Sequence, residues 1–227
     1  MKYRYLLFDA DDTLFDFPQA SAHAFDVMCH LHSIPNTPEV YQLYHDINHV
    51  LWRAFDRGEV TKEYVTLERY VRFLDALGLD RDPAQCNRDY LTALGSGVYP
   101  LPYAEEVCRE LCQRGHQMYL VTNAVASVQR NRLKGSVFSE FFLEAFISEE
   151  AGASKPDKRY FDYVLSRLPE ITAENTLVIG DSLATDIRGA NNAGLPCCWY
   201  NPAGKALPDD VHADYVISDL RQLLKLV

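Results

Sequence analysis

The sequence predicts an α/β fold in which a doubly wound parallel sheet is interrupted, after its first strand, by an all-helical segment. In the second half of the chain, short apolar runs alternate with helical patterns, which is typical of a parallel sheet covered by helices. Continuous runs such as YLLF at residues 5–8 and TLVIG at residues 176–180 indicate strands that are buried on both faces. From residue 17 to residue 96, by contrast, apolar residues recur at helical spacing and no alternating strand is found.

The α/β part is predicted to contain six strands and three clear helices. We place the strands at residues 3–8, 117–122, 145–148, 176–179, 196–200 and 215–217. The helices are placed at residues 103–114, 158–168 and 184–193. Strands and helices in this alternating order favour a sheet in which each helix connects two parallel strands.

The helical segment is predicted to form four helices. Its breaks fall near residues 35–38, at Gly58 and near residues 77–83, where proline and glycine interrupt the helical pattern. Turn-forming residues flank the segment, at Pro18 on one side and between Gly95 and Pro102 on the other.

These flanking residues predict two domains. An α/β core is expected to consist of residues 1–16 and 97–227, and the second domain of residues 17–96, inserted after the first strand.

The composition is that of a globular protein with an acidic surface. The 227 residues include 32 acidic and 22 basic side chains, which give a formal net charge of -10, and 48% of them are hydrophobic. Such a charge repels phosphate backbones and anionic lipids, so we expect neither a nucleic-acid polymer nor a membrane as partner. No signal peptide or membrane-spanning run is evident, and the six cysteines form no Cys-x-x-Cys pair. These features predict a cytoplasmic protein.

Polar residues follow each of the first four predicted strands. They are Asp9, Asp11, Asp12 and Thr13 after the first strand, Thr122 and Asn123 after the second, Ser154 and Lys155 after the third, and Asp181, Ser182 and Asp186 after the fourth. Ligands of doubly wound sheets bind beyond the carboxyl ends of the strands, so we expect these residues to converge on one site. Each motif alone has a plainer interpretation as an acidic turn, a helix start or a helix cap, but their joint occurrence in this order predicts a functional site.

The residue types at this site are suited to phosphoryl transfer. Carboxylates packed together repel one another and need a cation, and oxygen ligands suit Mg²⁺, which binds through one or two carboxylates plus a phosphate. Lys155 adds a positive charge, while Thr122 and neighbouring backbone amides can donate hydrogen bonds to phosphoryl oxygens. One carboxylate can act as a covalent nucleophile, and a second aspartate two residues on can serve as acid and base.

Four segments resemble the signature motifs of the haloacid dehalogenase superfamily. They are FDADDTL at residues 8–14, Thr122 in LVTN, Lys155 in SKPD and GDSLATD at residues 180–186. The resemblance covers essentially the whole chain, because the helical segment occupies the place of that family's cap domain. It implies a Rossmann-like core with an inserted all-helical cap.

The resemblance implies that Asp9 attacks phosphorus and that Asp11 is the acid and base. It implies further that the backbone carbonyl of Asp11 binds the metal. Dehalogenases of the superfamily lack an aspartate at this position, since they have no alkoxide leaving group to protonate. The resemblance therefore implies hydrolysis of phosphate esters.

The remaining motif residues are implied to bind the phosphoryl group or the metal. Thr122, Asn123 and Lys155 are the phosphate-binding residues on this pattern. Asp181 completes a Mg²⁺ site with Asp9 and Asp11, and Asp186 supports it directly or through water.

Further segments are similar to the YjjG-type pyrimidine 5′-nucleotidases of the superfamily. They include Leu51-Trp52, PLPYAEEV at residues 100–107, ISEEAGASKPDKRYFDYVL at residues 147–165 and the N-A-G-x-x-x-x-W pattern from Asn192 to Trp199. This similarity implies a substrate among the pyrimidine nucleoside monophosphates. Two alternatives stay open: a sugar-phosphate or phosphoglycolate phosphatase or mutase on the same core, and a catalytically silent protein that binds a phosphorylated ligand.

Three residues of the helical segment or its entry are candidates for contact with the substrate. Trp52 and Phe15 are suited to stack on a planar base, and Asn48, one helical turn before Trp52, is suited to read a pyrimidine edge unless its amide faces solvent. His45 and His49 have the spacing of a helical metal pair, but without a third ligand we interpret them as an exposed helix face. We expect a monomer or small homo-oligomer that takes a small phosphorylated metabolite.

Overall fold

The computed structural model describes residues 2–227 and confirms the predicted α/β fold. Six parallel strands form a sheet in the order β3-β2-β1-β4-β5-β6. The strands are β1 (Tyr5–Phe8), β2 (Gln117–Thr122), β3 (Phe142–Ile147), β4 (Thr176–Gly180), β5 (Cys197–Tyr200) and β6 (Tyr215–Ile217). All six predicted strands are therefore present, with ends that differ by a few residues.

The strand order reverses at β1. From β1 the chain continues to β2 and β3 on one side, and it then crosses to β4, β5 and β6 on the other side. Phe8 lies opposite Leu120 of β2 and Ile179 of β4. Ligands of open parallel sheets bind where the strand order reverses, beyond the carboxyl ends, so the residues after Phe8 and Ile179 are placed for a site.

Nine α-helices are found among residues 2–227. They are α1 (Phe17–His32), α2 (Pro38–Asp56), α3 (Lys62–Leu77), α4 (Pro83–Ser96), α5 (Ala104–Gln113), α6 (Ala126–Lys134), α7 (Ser148–Ala151), α8 (Lys158–Arg167) and α9 (Arg188–Ala193). Short helical turns lie at Val137–Glu140, Leu183–Ile187 and Leu220–Lys225. The helices predicted in the α/β part correspond to α5, to α8 and to α9 with the turn before it.

Strand β1 is buried on both of its faces. Leu6 and Phe8 belong to the hydrophobic core on one side of the sheet, and Tyr5 and Leu7 to the core on the other side. Because successive side chains of a strand point to opposite faces, both sets must be apolar, which explains the continuous apolar run in the sequence.

The chain falls into two compact units. One comprises the residues up to Phe17 together with Val98–Val227, and it contains the sheet; the other comprises Pro18–Gly97. In the second unit the four predicted helices are present as α1 to α4.

The helices of the second unit begin where polar side chains cap them. The side chains of Thr37, Thr61 and Asp82 accept hydrogen bonds from backbone N–H groups in the first turns of α2, α3 and α4. Helix α3 ends at Gly78, whose left-handed conformation (φ 63°) favours glycine.

Aromatic rings form the core of the second unit. The ring of Phe25 is stacked on Tyr44 at 4.6 Å between centroids, and Phe73 meets Phe25 edge to face at 5.5 Å. Tyr70 and Tyr90 are also fully buried beside Tyr44. Across residues 2–227, no helix combines the length and apolar character needed to cross a membrane.

Candidate active site

Lys155 is the centre of a buried group of charges at the carboxyl ends of the strands. Its ammonium Nζ donates to Asp9 Oδ1 at 2.6 Å, to Asp186 Oδ1 at 2.6 Å and to the backbone carbonyl of Val121 at 2.7 Å. The lysine is 1% exposed and Asp9 is 7% exposed. Residues from the ends of β1, β2 and β4 are thus brought together around one cation, as the sequence predicted for the strand ends.

Three carboxylates share this site with the single ammonium group. Oxygens of Asp9, Asp181 and Asp186 all lie within 4.8 Å of one another. Burial, reinforced by the charge of Asp186, raises the pKa of Asp9 to about 8, and the same causes raise the pKa of Asp181 to about 9. Burial acts to lower the pKa of Lys155, but the carboxylates of Asp186 and Asp9 outweigh it and raise that pKa.

Because three carboxylates cluster around one ammonium group, the site holds more negative charge than Lys155 can balance. Three clustered oxygen donors are the ligand type that Mg²⁺ prefers, whereas nitrogen or sulfur ligands would favour zinc. The residues present therefore fit a magnesium ion.

Asp186 is held from two directions. Its Oδ2 accepts the backbone N–H of Ser182 at 3.0 Å, while its Oδ1 accepts from Lys155. A Cβ atom at position 180 would overlap the Asp186 carboxylate, so the glycine that ends β4 is required by this close approach. Both oxygens of Asp186 are thus used within the protein, which makes it a residue that orients Lys155 and the loop after β4.

Asp181 is positioned by contacts to both its backbone and its side chain. Trp199 of β5 donates its indole N–H to the backbone carbonyl of Asp181 at 2.8 Å. The hydroxyl of Thr13 lies 3.5 Å from Asp181 Oδ1. The turn after β1 and strand β5 therefore fix Asp181 at the edge of the cluster.

Asn123 contacts the loop that carries the lysine. Its Oδ1 accepts the backbone N–H of Lys155 at 3.0 Å, and its Nδ2 donates to the Lys155 carbonyl at 2.9 Å. Thr122 is 1% exposed, and its hydroxyl accepts from the backbone N–H of Ala124 at 3.1 Å. The side chain of Asn123, which the sequence suggested for phosphate binding, is thus committed to holding Lys155 in place.

Asp11 lies two residues beyond Asp9 and is paired with Arg132 of α6, whose Nη1 donates to Asp11 Oδ1. Arg132 was not among the residues singled out from the sequence. It lies on the buried side of α6, one turn after Val128 and Gln129, and no pattern in the sequence indicates that burial.

Phe15 does not occupy the position that the sequence suggested. The ring has no exposed surface and packs edge to face on Phe138 at 5.0 Å within the core of the α/β unit. The structure contradicts the prediction that Phe15 stacks on a base, because the turn after β1 places its ring in the hydrophobic core beside Phe138.

Asn48 is also buried, contrary to the alternative that its amide faces solvent. It is 8% exposed, and its Oδ1 accepts from Arg69 at 3.1 Å. Trp52, one turn further along α2, is half-buried and meets Phe55 edge to face at 5.5 Å. His45 and His49 are exposed, and within residues 2–227 no third ligand completes a metal group with them.

Comparisons with known proteins give this arrangement a family context. Residues 3–194 match the sequence pattern of the haloacid dehalogenase-like hydrolases. YfnB of Bacillus subtilis is 38% identical over 226 residues, which are 100% of this chain and 96% of YfnB. A crystal structure of YfnB bound to magnesium, described as revealing interdomain movement, matches with a TM-score of 0.93 over 100% of this chain and 99% of that one.

Two further relatives are pyrimidine 5′-nucleotidases. PynA of Streptococcus pneumoniae is 31% identical over 202 residues, covering 89% of this chain and 85% of PynA. YjjG of Escherichia coli is 30% identical over 228 residues, covering 100% of this chain and 99% of YjjG.

Proposed function

The chain belongs to the haloacid dehalogenase-like hydrolases, and within that family we propose that it hydrolyses phosphate monoesters through an aspartyl-phosphate on Asp9, with Mg²⁺ as its cofactor. The observation that carries this proposal is the buried cluster in which Lys155 bridges Asp9 and Asp186 while Asp181 lies beside them. A nucleophilic carboxylate, a phosphate-binding cation and oxygen ligands for a metal are the parts that phosphoryl transfer needs.

In the first half of the reaction, a carboxylate oxygen of Asp9 forms a bond to phosphorus while the bond from phosphorus to the leaving oxygen breaks. Asp11 donates its proton to that leaving oxygen, which departs as an alcohol. Lys155, freed from part of its contact with Asp9, donates hydrogen bonds to the phosphoryl oxygens. The hydrogen bonds from Asn123 to the backbone of Lys155 keep the ammonium group aimed at this position.

In the second half, a water molecule attacks the phosphorus of the aspartyl-phosphate. Asp11 takes a proton from this water, the bond between phosphorus and Asp9 breaks, and inorganic phosphate leaves. Asp9, Asp181 and the Asp11 backbone carbonyl would hold Mg²⁺, which when bound neutralises the charge of the carboxylates and of the phosphoryl group.

For the substrate, we propose a pyrimidine nucleoside 5′-monophosphate. The support is similarity: two nucleotidases share about a third of their residues with this chain along most of its length. A sugar phosphate is the second candidate, because the residues that carry the chemistry contact the phosphoryl group and not the rest of the ester.

The test measures the release of inorganic phosphate from a panel of substrates. Purified protein with Mg²⁺ is assayed against UMP, CMP, dTMP, AMP, GMP, glucose 6-phosphate and phosphoglycolate, with p-nitrophenyl phosphate as a generic substrate. We expect the highest kcat/KM on the pyrimidine nucleotides, and no activity in Asp9→Asn protein purified in parallel, which controls for contaminating phosphatases.

The panel separates the alternatives. A sugar phosphate preferred over every nucleotide would refute the nucleotidase proposal and leave the phosphatase proposal standing. Absence of turnover on every substrate, the generic one included, would favour the catalytically silent binding protein.

A further inference from the structure

Helix α6 carries two arginines in opposite environments. Arg130 is exposed and pairs with the carboxylate of Glu150. Arg132 has no exposed side-chain surface, and its guanidinium carbon lies 4.5 Å from the ring centroid of Phe15 while Nη1 donates to Asp11. The two residues are two positions apart on one short helix, so Arg130 is a matched control for Arg132.

Burying a guanidinium group costs several kcal/mol and is tolerated only with strong partners. Here the partners are unequal. The Arg132 side chain is fully buried, whereas the Asp11 side chain is 26% exposed at the edge of the site that contains Asp9. A purely structural ion pair has no need of an exposed carboxylate. The difference in exposure therefore indicates that Arg132 is the rigid partner and Asp11 the partner that reacts.

Hydrogen bonds fix the backbone around Asp11, so only its side chain can change conformation. The N–H groups of Leu14 and Phe15 both donate to the carbonyl of Ala10, and the Asp12 N–H donates to the Phe15 carbonyl, which closes a tight turn. Within such a fixed turn, only the two side-chain torsions decide where the Asp11 carboxylate points. The hydrogen bond from Arg132 to Oδ1 restrains these torsions, because it holds one carboxylate oxygen against a fully buried side chain.

From this geometry we propose that Arg132 is a positioning residue that orients the Asp11 carboxylate for proton transfer to the leaving group. Arg132 holds Oδ1, Phe15 supports the plane of the guanidinium group, and the other oxygen, Oδ2, faces the ester oxygen. The inference rests on the proposed function, since it takes Asp11 as the acid.

The proposed role of Arg132 predicts that the effect of its loss depends on the leaving group of the ester. A misplaced acid penalises esters whose leaving group must be protonated and spares those that depart as stable anions. Phenyl phosphate and 2,4-dinitrophenyl phosphate are such a pair, because dinitrophenol is a far stronger acid than phenol. Neither ester carries a nucleoside, so the comparison holds whatever the natural substrate is.

The experiment measures kcat/KM on both esters for wild type, Arg132→Met, Arg132→Lys, Arg130→Met and Asp11→Asn, with thermal unfolding as the check on folding. We expect Arg132→Met to lose about 30-fold on phenyl phosphate and less than about threefold on the dinitrophenyl ester, as a displaced catalytic group costs up to about 100-fold. Arg132→Lys keeps a positive charge that can donate to Asp11, so its loss on phenyl phosphate should be smaller than that of Arg132→Met. Arg130→Met should stay within about twofold of wild type on both esters, as is usual for an exposed ion pair.

The outcomes are distinguishable. Equal losses on the two esters in Arg132→Met and in Arg132→Lys would overturn the positioning role, as would no loss at all. If Arg132→Met does not fold, Arg132→Lys alone decides by the same ratio. If Asp11→Asn itself shows no dependence on the leaving group, the acid role of Asp11 fails and the positioning argument fails with it. Absence of turnover of both esters by the wild type would instead refute the proposed function.

Discussion

Two buried cations, one in each unit of the molecule, are held in contrasting ways. Lys155 is 1% exposed and is bound by the carboxylates of Asp9 and Asp186. Arg69 of α3 is 2% exposed, but it donates to the amide oxygens of Asn48 at 3.1 Å and Asn87 at 2.8 Å. Within the described part of the chain, no carboxylate forms an ion pair with Arg69.

The surroundings of Arg69 are neutral. Its guanidinium carbon lies 5.2 Å from the ring centroid of Tyr70 and 4.6 Å from that of Tyr90, so aromatic faces and amide dipoles share the charge. Burial raises the pKa of Tyr70 and of Tyr44 well above the usual value, which keeps both phenols neutral.

The contrast separates a structural cation from a reactive one. Around Arg69 the charge is stabilised by neutral amide oxygens and aromatic rings. Around Lys155 the carboxylates outnumber the cation, and burial together with the charge of Asp186 raises the pKa values of Asp9 and Asp181. Binding of a metal cation would offset the excess negative charge of such a site. This property is expected of a centre that binds a metal and an anionic substrate.

The largest effect is expected from Asp9→Asn. The amide is nearly isosteric but cannot attack phosphorus, so turnover of the best substrate should fall by about 10⁴-fold or more while the unfolding temperature changes little. Steady-state kinetics with circular dichroism measures both. Activity within tenfold of wild type would remove Asp9 from the role of nucleophile.

Exchanging each buried cation for methionine tests the contrast directly. Lys155→Met removes the phosphate-binding charge and should lower kcat/KM on acetyl phosphate by about 10³-fold. Arg69→Met should leave hydrolysis of this minimal substrate within about threefold and lower the free energy of unfolding by about 1–3 kcal/mol, because two amide acceptors lose their donor. Comparable kinetic losses in the two variants would show that the distinction between the cations is wrong.

Removing the metal should reduce activity by about 100-fold or more, and Mg²⁺ should restore it, because the carboxylates and an incoming phosphate otherwise repel one another. Ca²⁺ should substitute poorly, since it accepts longer bonds and higher coordination. Mg²⁺ should also raise the unfolding temperature of wild type but not of Asp181→Asn. Full activity in the presence of a chelator would refute the magnesium site.

The smallest of these effects concerns the choice of substrate. We propose that Trp52 stacks on the base, so Trp52→Ala should lower kcat/KM for UMP by about tenfold, which corresponds to a stacking energy of about 1–3 kcal/mol. Hydrolysis of acetyl phosphate, which has no base, is the control and should stay nearly unchanged. Equal losses on both substrates would indicate that Trp52 only supports the packing of the helical unit.

Much of the fold and part of the site could be predicted from sequence because the signals are local. A strand buried on both faces must be apolar throughout, as Tyr5–Phe8 is, and the rule for parallel sheets then places Asp9 at a strand end. The same rule predicts Lys155 and Asp181 near the ends of the third and fourth predicted strands.

The residues that sequence reasoning missed or misplaced depend on contacts between distant positions. Arg132 contacts Asp11 across 121 residues, and no local pattern connects the two. Asn48 lies one turn after Tyr44 on the buried stripe of α2, but its burial is favourable only because Arg69, 21 residues away, supplies a donor. The position of Phe15 depends in the same way on Phe138.

The segments that lead out of and back into the α/β unit lie side by side. Asp16 donates its N–H to the Tyr99 carbonyl at 2.8 Å, Leu101 donates to Leu14 at 2.8 Å, and Phe15 forms an antiparallel bridge with Pro100. Neighbouring strands are about 5 Å apart, so a short turn could join these two segments without disturbing the sheet. The residues between Phe17 and Val98 could therefore be lengthened, shortened or exchanged without breaking a strand of the sheet, because the entropy of closing a loop grows only slowly with its length.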